Sequence, residues 1–143
     1  MGVKRHLLTE ASGLPIAVEV TGANVADVTQ VATVLEAMPF LPPPPTDEAP
    51  QHFCADKGYD ARHGRRTIAQ RGYQDHIKSR GEEAQLCHIP GYRARRWGVE
   101  STHSWINRYR RLLIRWEKKL ANYRALLLLA CANIVWNRSI LFG

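Results

Sequence analysis

Cysteine is scarce in this 143-residue chain: Cys54, Cys87 and Cys131 are its three, and no two stand in a CxxC pair. An odd number without paired spacing gives no disulfide framework and fits a reducing compartment. Cys87 stands beside His88, but no second pair follows at finger-like spacing, so a zinc centre is not expected. Long apolar runs are missing too. Ala125 to Ala132 is too short to span a bilayer and continues into Asn133, Trp136 and Asn137, so it reads as a core helix and no membrane partner is expected. MGVKRHLL lacks the apolar stretch of a secretory signal. Acidic residues thin out along the chain. Residues 1–52 hold two Lys/Arg against six Asp/Glu (net −4), whereas residues 53–143 hold eighteen against seven (net +11). Arg predominates in the basic half, and its planar donor fork suits phosphate. Such a half reads first as a nucleic-acid surface and second as a surface for an acidic protein.

The length fits one domain with a real core, and 45% apolar with 23% charged residues is ordinary globular composition. VKRHLLTE at 3–10 and PIAVEVT at 15–21 read as two strands turning at Ser12-Gly13, with Val18 and Val20 on one buried face and His6 at a surface or edge. Asp27 is placed to begin or cap a helix running to about Met38, with the stripe Val28, Val31, Val34 and Leu35. Six of the eight prolines fall in 39–50, which predicts a stiff surface loop with Asp47 and Glu48 in solvent. HFCA at 52–55 reads as a buried strand ending on Asp56, followed by a Gly-containing turn and a helix through Arg71. Asp56 lies where α/β sheets place ligands, or it caps the next helix; Asp60 is the better candidate for that cap. QDHIK at 74–78 reads as another strand, 79–91 as a loop, and Leu120 to Ile140 as a helix apolar on nearly every side and buried against the sheet.

The densest chemistry lies in YRARRWGVESTHSWINRYRRLLIRW, residues 92–116. Trp105, Tyr109, Leu112, Leu113 and Trp116 recur at helical steps, and Arg108, Arg110, Arg111 and Arg115 fall mostly off that stripe. Glu100 is the single carboxylate in this field. It is either an ion-pair partner or a metal ligand beside phosphates.

The order strand, strand, helix, strand, helix, strand, helix, helix is compatible with an α/β, RNase H-like fold in which helices flank a mixed sheet. Four blocks make the resemblance specific: GVKRHLLTEASGLPIAVEVTGANVADV, CADKGYD, RRWGVESTHSWINRYRRLLIRWEKK and NYRALLLLACANIVW. Together they resemble the DDE-type transposases of bacterial insertion sequences, of the IS-five-like and IS-four-like groups. Only the proline loop and residues 82–91 lie outside the match. The resemblance implies that Asp56 and Glu100 are catalytic and ligate Mg²⁺ or Mn²⁺, for phosphodiester cleavage and strand transfer. It also implies DNA contacts by Arg95, Arg96, Asn107, Arg108, Arg110, Arg111 and Lys57, to transposon ends and target DNA. Arg96 lies four residues before Glu100, as in the Tyr–Arg–Glu–Lys signature of related transposases, where it would touch DNA or orient the carboxylate. Two departures stand out: Tyr92 is one place early, and Asn107 replaces the Lys seven residues after Glu100. His103 and Trp105 are core or DNA-facing.

The family's first catalytic Asp lies upstream of the block that GVKRHLL resembles. Residues 1–143 therefore read as a catalytic-domain fragment from the second strand onward, with C-terminal helices over about 94–140, and are expected to be inactive alone. Glu10 and Glu19 are the nearest spare carboxylates. The expected partners are DNA and either a second copy or an upstream reading-frame product. The expected place is the bacterial cytoplasm, on the nucleoid when DNA is bound. The alternative is a non-catalytic remnant that binds DNA, or that inhibits a full-length transposase.

Overall fold

A β-hairpin opens the computed structural model, which describes residues 2–78 and 97–141. Strand β1 (Val3–Thr9) pairs antiparallel with β2 (Pro15–Gly22), with Leu7 opposite Val18 and Arg5 opposite Val20. The turn is made at Gly13, whose φ of 94° suits a residue without a side chain. Alternation holds: Val18 and Val20 are buried on one face. His6 and Ala17, on the other face, are buried as well. The expectation of a surface His6 is therefore corrected. It is 1% exposed, with Nε2 2.8 Å from Thr21 Oγ1, and a paired polar group of this kind is tolerated inside.

The chain forms two compact units, Met1–Ala23 with Trp97–Gly143, and Asn24–Arg96. In the first, the hairpin is joined by α3 (Trp97–Asn107), α4 (Arg110–Leu113) and α5 (Leu120–Val135), followed by a π-helical stretch, Trp136–Leu141. Val18, Val20, Ile106, Leu112, Tyr123, Leu127, Ala130, Cys131 and Ile134 form its core, with Val3, Leu7 and Trp105 packed against them. Helix α5 packs on the hairpin as expected, with Leu127 in one core with Val18 and Val20. Only one stripe is covered: Leu127 is fully buried, whereas Leu128 and Leu129 are 44% and 67% exposed, because a helix laid on a single layer buries one stripe. One expectation fails here: residues 105–116 do not form one helical face. The Arg108 and Tyr109 N–H groups close on the Trp105 and Ile106 carbonyls, three residues back, and Tyr109 is extended. That break resets the helical phase, so Leu112 is buried while Leu113 and Trp116 face solvent.

In the second unit a 3₁₀ turn, Asp27–Gln30, leads into α1 (Val31–Glu36). Ala26 holds the N-cap position and no side chain caps the turn, so Asp27 begins this element without capping it. Residues 39–50 carry no helix or strand. Strand β3 (His52–Ala55) pairs in parallel with β4 (Gln74–Ile77), and α2 (Arg62–Gln70) makes the connection. Contrary to the expectation of a buried strand, no β3 residue is fully buried. Val31, Val34, Leu35, Ile68 and Ile77 supply the core. Helix α2 lies close to α1 at Gly64, where a Cβ would be 3.1 Å from the Tyr59 carbonyl oxygen and 3.5 Å from Val28 and Val31. Arg65 ties α2 to β4: Nε donates to Asp60 at 2.8 Å, NH2 to the Ile77 carbonyl at 2.7 Å, and NH1 to Asp75.

The fold is α/β. Among the described residues the strands form two separate two-stranded sheets, one antiparallel and one parallel. No helix among them is long and apolar enough to cross a membrane.

Candidate active site and nucleic-acid surface

Asp56 follows the last residue of β3 with an extended backbone, and its Oδ1 accepts the Lys57 N–H at 2.6 Å. It thereby caps the 3₁₀ turn Lys57–Tyr59, and its carboxylate is exposed. Capping and strand-end presentation, read from sequence as rival explanations, coexist in one residue. Asp60 does not head α2 as expected. Ala61 takes that position with no side-chain cap, because the Asp60 carboxylate is held by Arg65.

The structure adds a second carboxylate to this turn. A Cβ on Gly58 would stand 3.3 Å from an Asp27 carboxylate oxygen, so Asp27 lies against the Lys57–Tyr59 turn. Burial, followed by the charges of Asp27 and Asp56, pushes the Tyr59 phenol up to about 12. Tyr59 thus stays a neutral hydroxyl beside two carboxylates at any ordinary pH. Sequence reading gave Asp27 only a helix-starting role. Its place in TGANVADV, the end of the first matched block, was the signal for more.

Glu100 lies in the first turn of α3 and is exposed. What fixes it is the opposite side of the helix. Gly98 and Thr102 each stand two residues away, roughly 200° around the axis. Both are buried against the hairpin turn. The Thr102 hydroxyl donates to the Gly98 carbonyl at 2.9 Å and lies against the Gly13 carbonyl. A Cβ on Gly98 would be 3.3 Å from the Glu10 and Ala11 carbonyl oxygens. The helix is therefore seated backbone to backbone, and Glu100 points away from the seat. Among the described residues no hydrogen bond or ion pair engages its carboxylate.

The spare carboxylates of the hairpin are both in structural use. Glu10 accepts from the Leu14 N–H at 2.8 Å and from the Ser12 hydroxyl. Burial raises its pKa, but these hydrogen bonds outweigh burial and hold it below the usual carboxylate range. Glu19 pairs with Arg124 at 2.6 Å.

Asp56 and Glu100 belong to different units. Both offer exposed carboxylate oxygens, hard donors of the kind that Mg²⁺ and Mn²⁺ take. The residues fit such an ion in donor chemistry. Among the described residues no three His, Cys, Asp or Glu side chains gather closely enough to enclose one.

Of the residues expected to meet DNA, Lys57, Arg108, Arg110 and Arg111 are exposed, with Arg111 2.9 Å from Glu117. Asn107 is exposed but tied, since its Oδ1 accepts from Arg5 NH1 at 3.0 Å. Arg95 and Arg96 lie outside the described residues, as do Tyr92, Cys87 and His88. Sequence reading missed Arg5. Its guanidinium also donates to the Tyr123 hydroxyl at 2.7 Å and to the Leu112 carbonyl, joining β1 to three helices. It lines a groove of about 570 Å³ with His103, Asn107, Arg115 and Tyr123. Burial, and then the Arg5 charge, lower the pKa of His103. Trp105 packs on the core with the Arg138 guanidinium 4.0 Å from its ring centre.

Residues 1–134 match the family model described as "Transposase DDE domain". The chain is 40% identical over 139 residues to a Burkholderia cepacia protein named as the transposase for insertion sequence element IS402, covering 95% of this chain and 64% of that protein. It therefore spans less than two thirds of that relative's length. It is also 29% identical over 141 residues to a Brucella ovis protein named as the transposase for insertion sequence element IS6501, covering 96% of this chain and 100% of that protein. No solved structure gives a significant match.

Proposed function

The chain belongs to the transposase DDE domain family, and on that premise we propose that it binds DNA and supplies Asp56 and Glu100 to the cleavage and strand-transfer site of an insertion-sequence transposase. What carries the reading is how the two carboxylates are presented. One ends a strand, fixed by the Lys57 N–H, and the other leaves a helix whose far side is seated on a hairpin turn. Glu100 has no hydrogen bond or ion pair among the described residues, whereas Glu10 and Glu19 on the hairpin are held by hydrogen bonds and an ion pair.

Asp56 and Glu100 would hold the divalent ion, Mg²⁺ or Mn²⁺. When bound, such an ion supplies Lewis-acid activation of the attacking oxygen and stabilisation of the leaving one. Tyr59 keeps its proton beside the Asp27 and Asp56 carboxylates, so it adds no competing negative charge there. Lys57, Arg108, Arg110 and Arg111 hold backbone phosphates, an interaction blind to sequence and weakened by salt. Arg95, Arg96 and Asn107 join this set by resemblance. The scaffold is read as RNase H-like from the order of its strands and helices. Place of action follows the substrate: the bacterial cytoplasm, on the nucleoid when DNA is bound, with a second copy or a companion polypeptide completing the assembly.

The test pairs DNA processing with metal binding. Asp56→Asn and Glu100→Gln should each abolish Mg²⁺-dependent nicking of DNA bearing the element's ends, in the assembly that excises it, while salt-sensitive DNA binding persists. Each should also weaken Mn²⁺ binding to the isolated chain, read by electron paramagnetic resonance. Variants that nick DNA and bind Mn²⁺ as the parent does would sink the catalytic assignment. Salt-dependent DNA binding with no cleavage in any assembly would favour the non-catalytic alternative.

A further inference from the structure

From the last residue of α4 into the loop before α5 the chain exposes large apolar side chains of a kind ordinarily kept inside. Leu113, Ile114 and Trp116 are 58%, 61% and 72% exposed, three large apolar groups within four residues. Single exposed apolar residues need no explanation, but a contiguous group marks a binding surface.

The loop that carries them is braced from within. Arg115 Nε donates to the Glu117 carbonyl at 2.9 Å, and its NH2 donates to the Lys118 carbonyl at 3.0 Å. Arg111 pairs with the Glu117 carboxylate at 2.9 Å. Before the loop, buried Leu112 is anchored through its carbonyl, which accepts from the Tyr123 hydroxyl at 3.2 Å and from Arg5. An apolar tip held this way loses little freedom on binding.

Charge complementarity decides what it binds. Around the tip stand Arg110, Arg111, Arg115, Lys118 and Lys119, against one carboxylate, Glu117, already paired. A second copy of this chain would bring the same positive charge to the contact and be repelled. DNA offers the complement of both features, phosphates for the cations and base faces for the apolar groups.

We infer that Trp116, flanked by Leu113 and Ile114, stacks on an unpaired base of DNA while the surrounding cations hold the neighbouring phosphates. The inference rests on the DNA-binding reading above and adds a preference within it. Fully paired duplex gives the tip nothing to stack on, whereas a nick, end or junction does. Such a contact tells DNA structures apart without reading sequence.

The experiment compares the 143-residue chain on two fluorescent DNAs, a blunt duplex and the same duplex with a short single-stranded tail, at low and moderate salt. Stacking predicts about tenfold tighter binding to the tailed DNA. It also predicts indole quenching by the tailed DNA that is reduced in Trp116→Phe, and loss of the preference in Trp116→Ala. Equal binding of the two DNAs by the parent chain, or an unchanged preference in Trp116→Ala, overturns the stacking role and leaves the DNA-binding reading in place. No binding of either DNA at low salt removes that reading, and the stacking role with it. Sedimentation that shows Trp116→Ala dissolving a dimer, with the DNA preference intact, assigns the patch to self-association and overturns the proposal.

Discussion

Gly13 and Gly98 meet backbone to backbone: a Cβ on Gly13 would stand 2.8 Å from the Gly98 carbonyl oxygen. This contact seats the helix that carries Glu100 on the turn of the hairpin, and it exists because neither position bears a side chain.

Gly13→Ala introduces both the clash and an L-residue at φ 94°. It should lower stability by about 2–4 kcal/mol. The check is a fall in urea midpoint with an unchanged slope.

Tyr123→Phe removes the hydroxyl that accepts from Arg5 at 2.7 Å and donates to the Leu112 carbonyl at 3.2 Å. The loss should be about 1–3 kcal/mol, since a buried acceptor and a guanidinium donor are left short of partners. A double-mutant cycle with Arg5→Met should show a coupling of at least about 0.5 kcal/mol, because the two groups form one network.

His103 gives the protein a pH dependence of known sign. Its pKa in the fold lies below the ordinary 6.5, through burial and then the Arg5 charge. Above 6.5 the ring is neutral whether the chain is folded or not, and it contributes no slope. As pH falls through 6.5 the unfolded chain gains a proton that the folded one resists, so stability drops until the folded pKa is reached. Urea midpoints at pH 7.5 and below 6 should differ in the parent and differ less in His103→Gln.

Arg65→Met cuts three contacts that hold α2 to β4 and to Asp60. Its side chain is 38% exposed, so the pairs are partly screened and the cost should be near 1 kcal/mol. Added salt should shrink the gap between parent and variant in thermal melts.

The strands were legible because side-chain alternation and turn residues are local signals. Val18 and Val20 point inward as alternation requires, and β1, β2 and β4 begin and end within a residue or so of expectation. Periodicity misled where the chain breaks between elements. Leu112, Leu113 and Trp116 fit one helical stripe in sequence, but extended Tyr109 resets the phase and turns two of them outward. Composition misled at Leu128 and Leu129, because an apolar helix shows how much it could bury and not how much surface it meets.

At the candidate site, Asp56 and Glu100 are proposed from the blocks that surround them. The approach of Asp27 to Gly58 was not legible: it joins residues 31 positions apart, and such a contact leaves no periodic trace in the chain. Arg5 escaped notice because one cation in a strand looks like a solvated one. Only the fold brings Tyr123, Asn107 and Leu112 to its three nitrogens.

The first unit is discontinuous in the chain, its hairpin at Met1–Ala23 and its helices at Trp97–Gly143, with the whole of Asn24–Arg96 between them. On the ribosome the hairpin emerges before its helical partners. At ordinary elongation rates it waits on the order of ten seconds before α3 leaves the exit tunnel, while Asn24–Arg96 already has every residue it needs. Val18 and Val20 spend that interval exposed on a nascent two-stranded ribbon, which is marginally stable by itself. The order of synthesis thus makes Asn24–Arg96 the early-folding part, and the Gly13–Gly98 seat one of the last contacts to close.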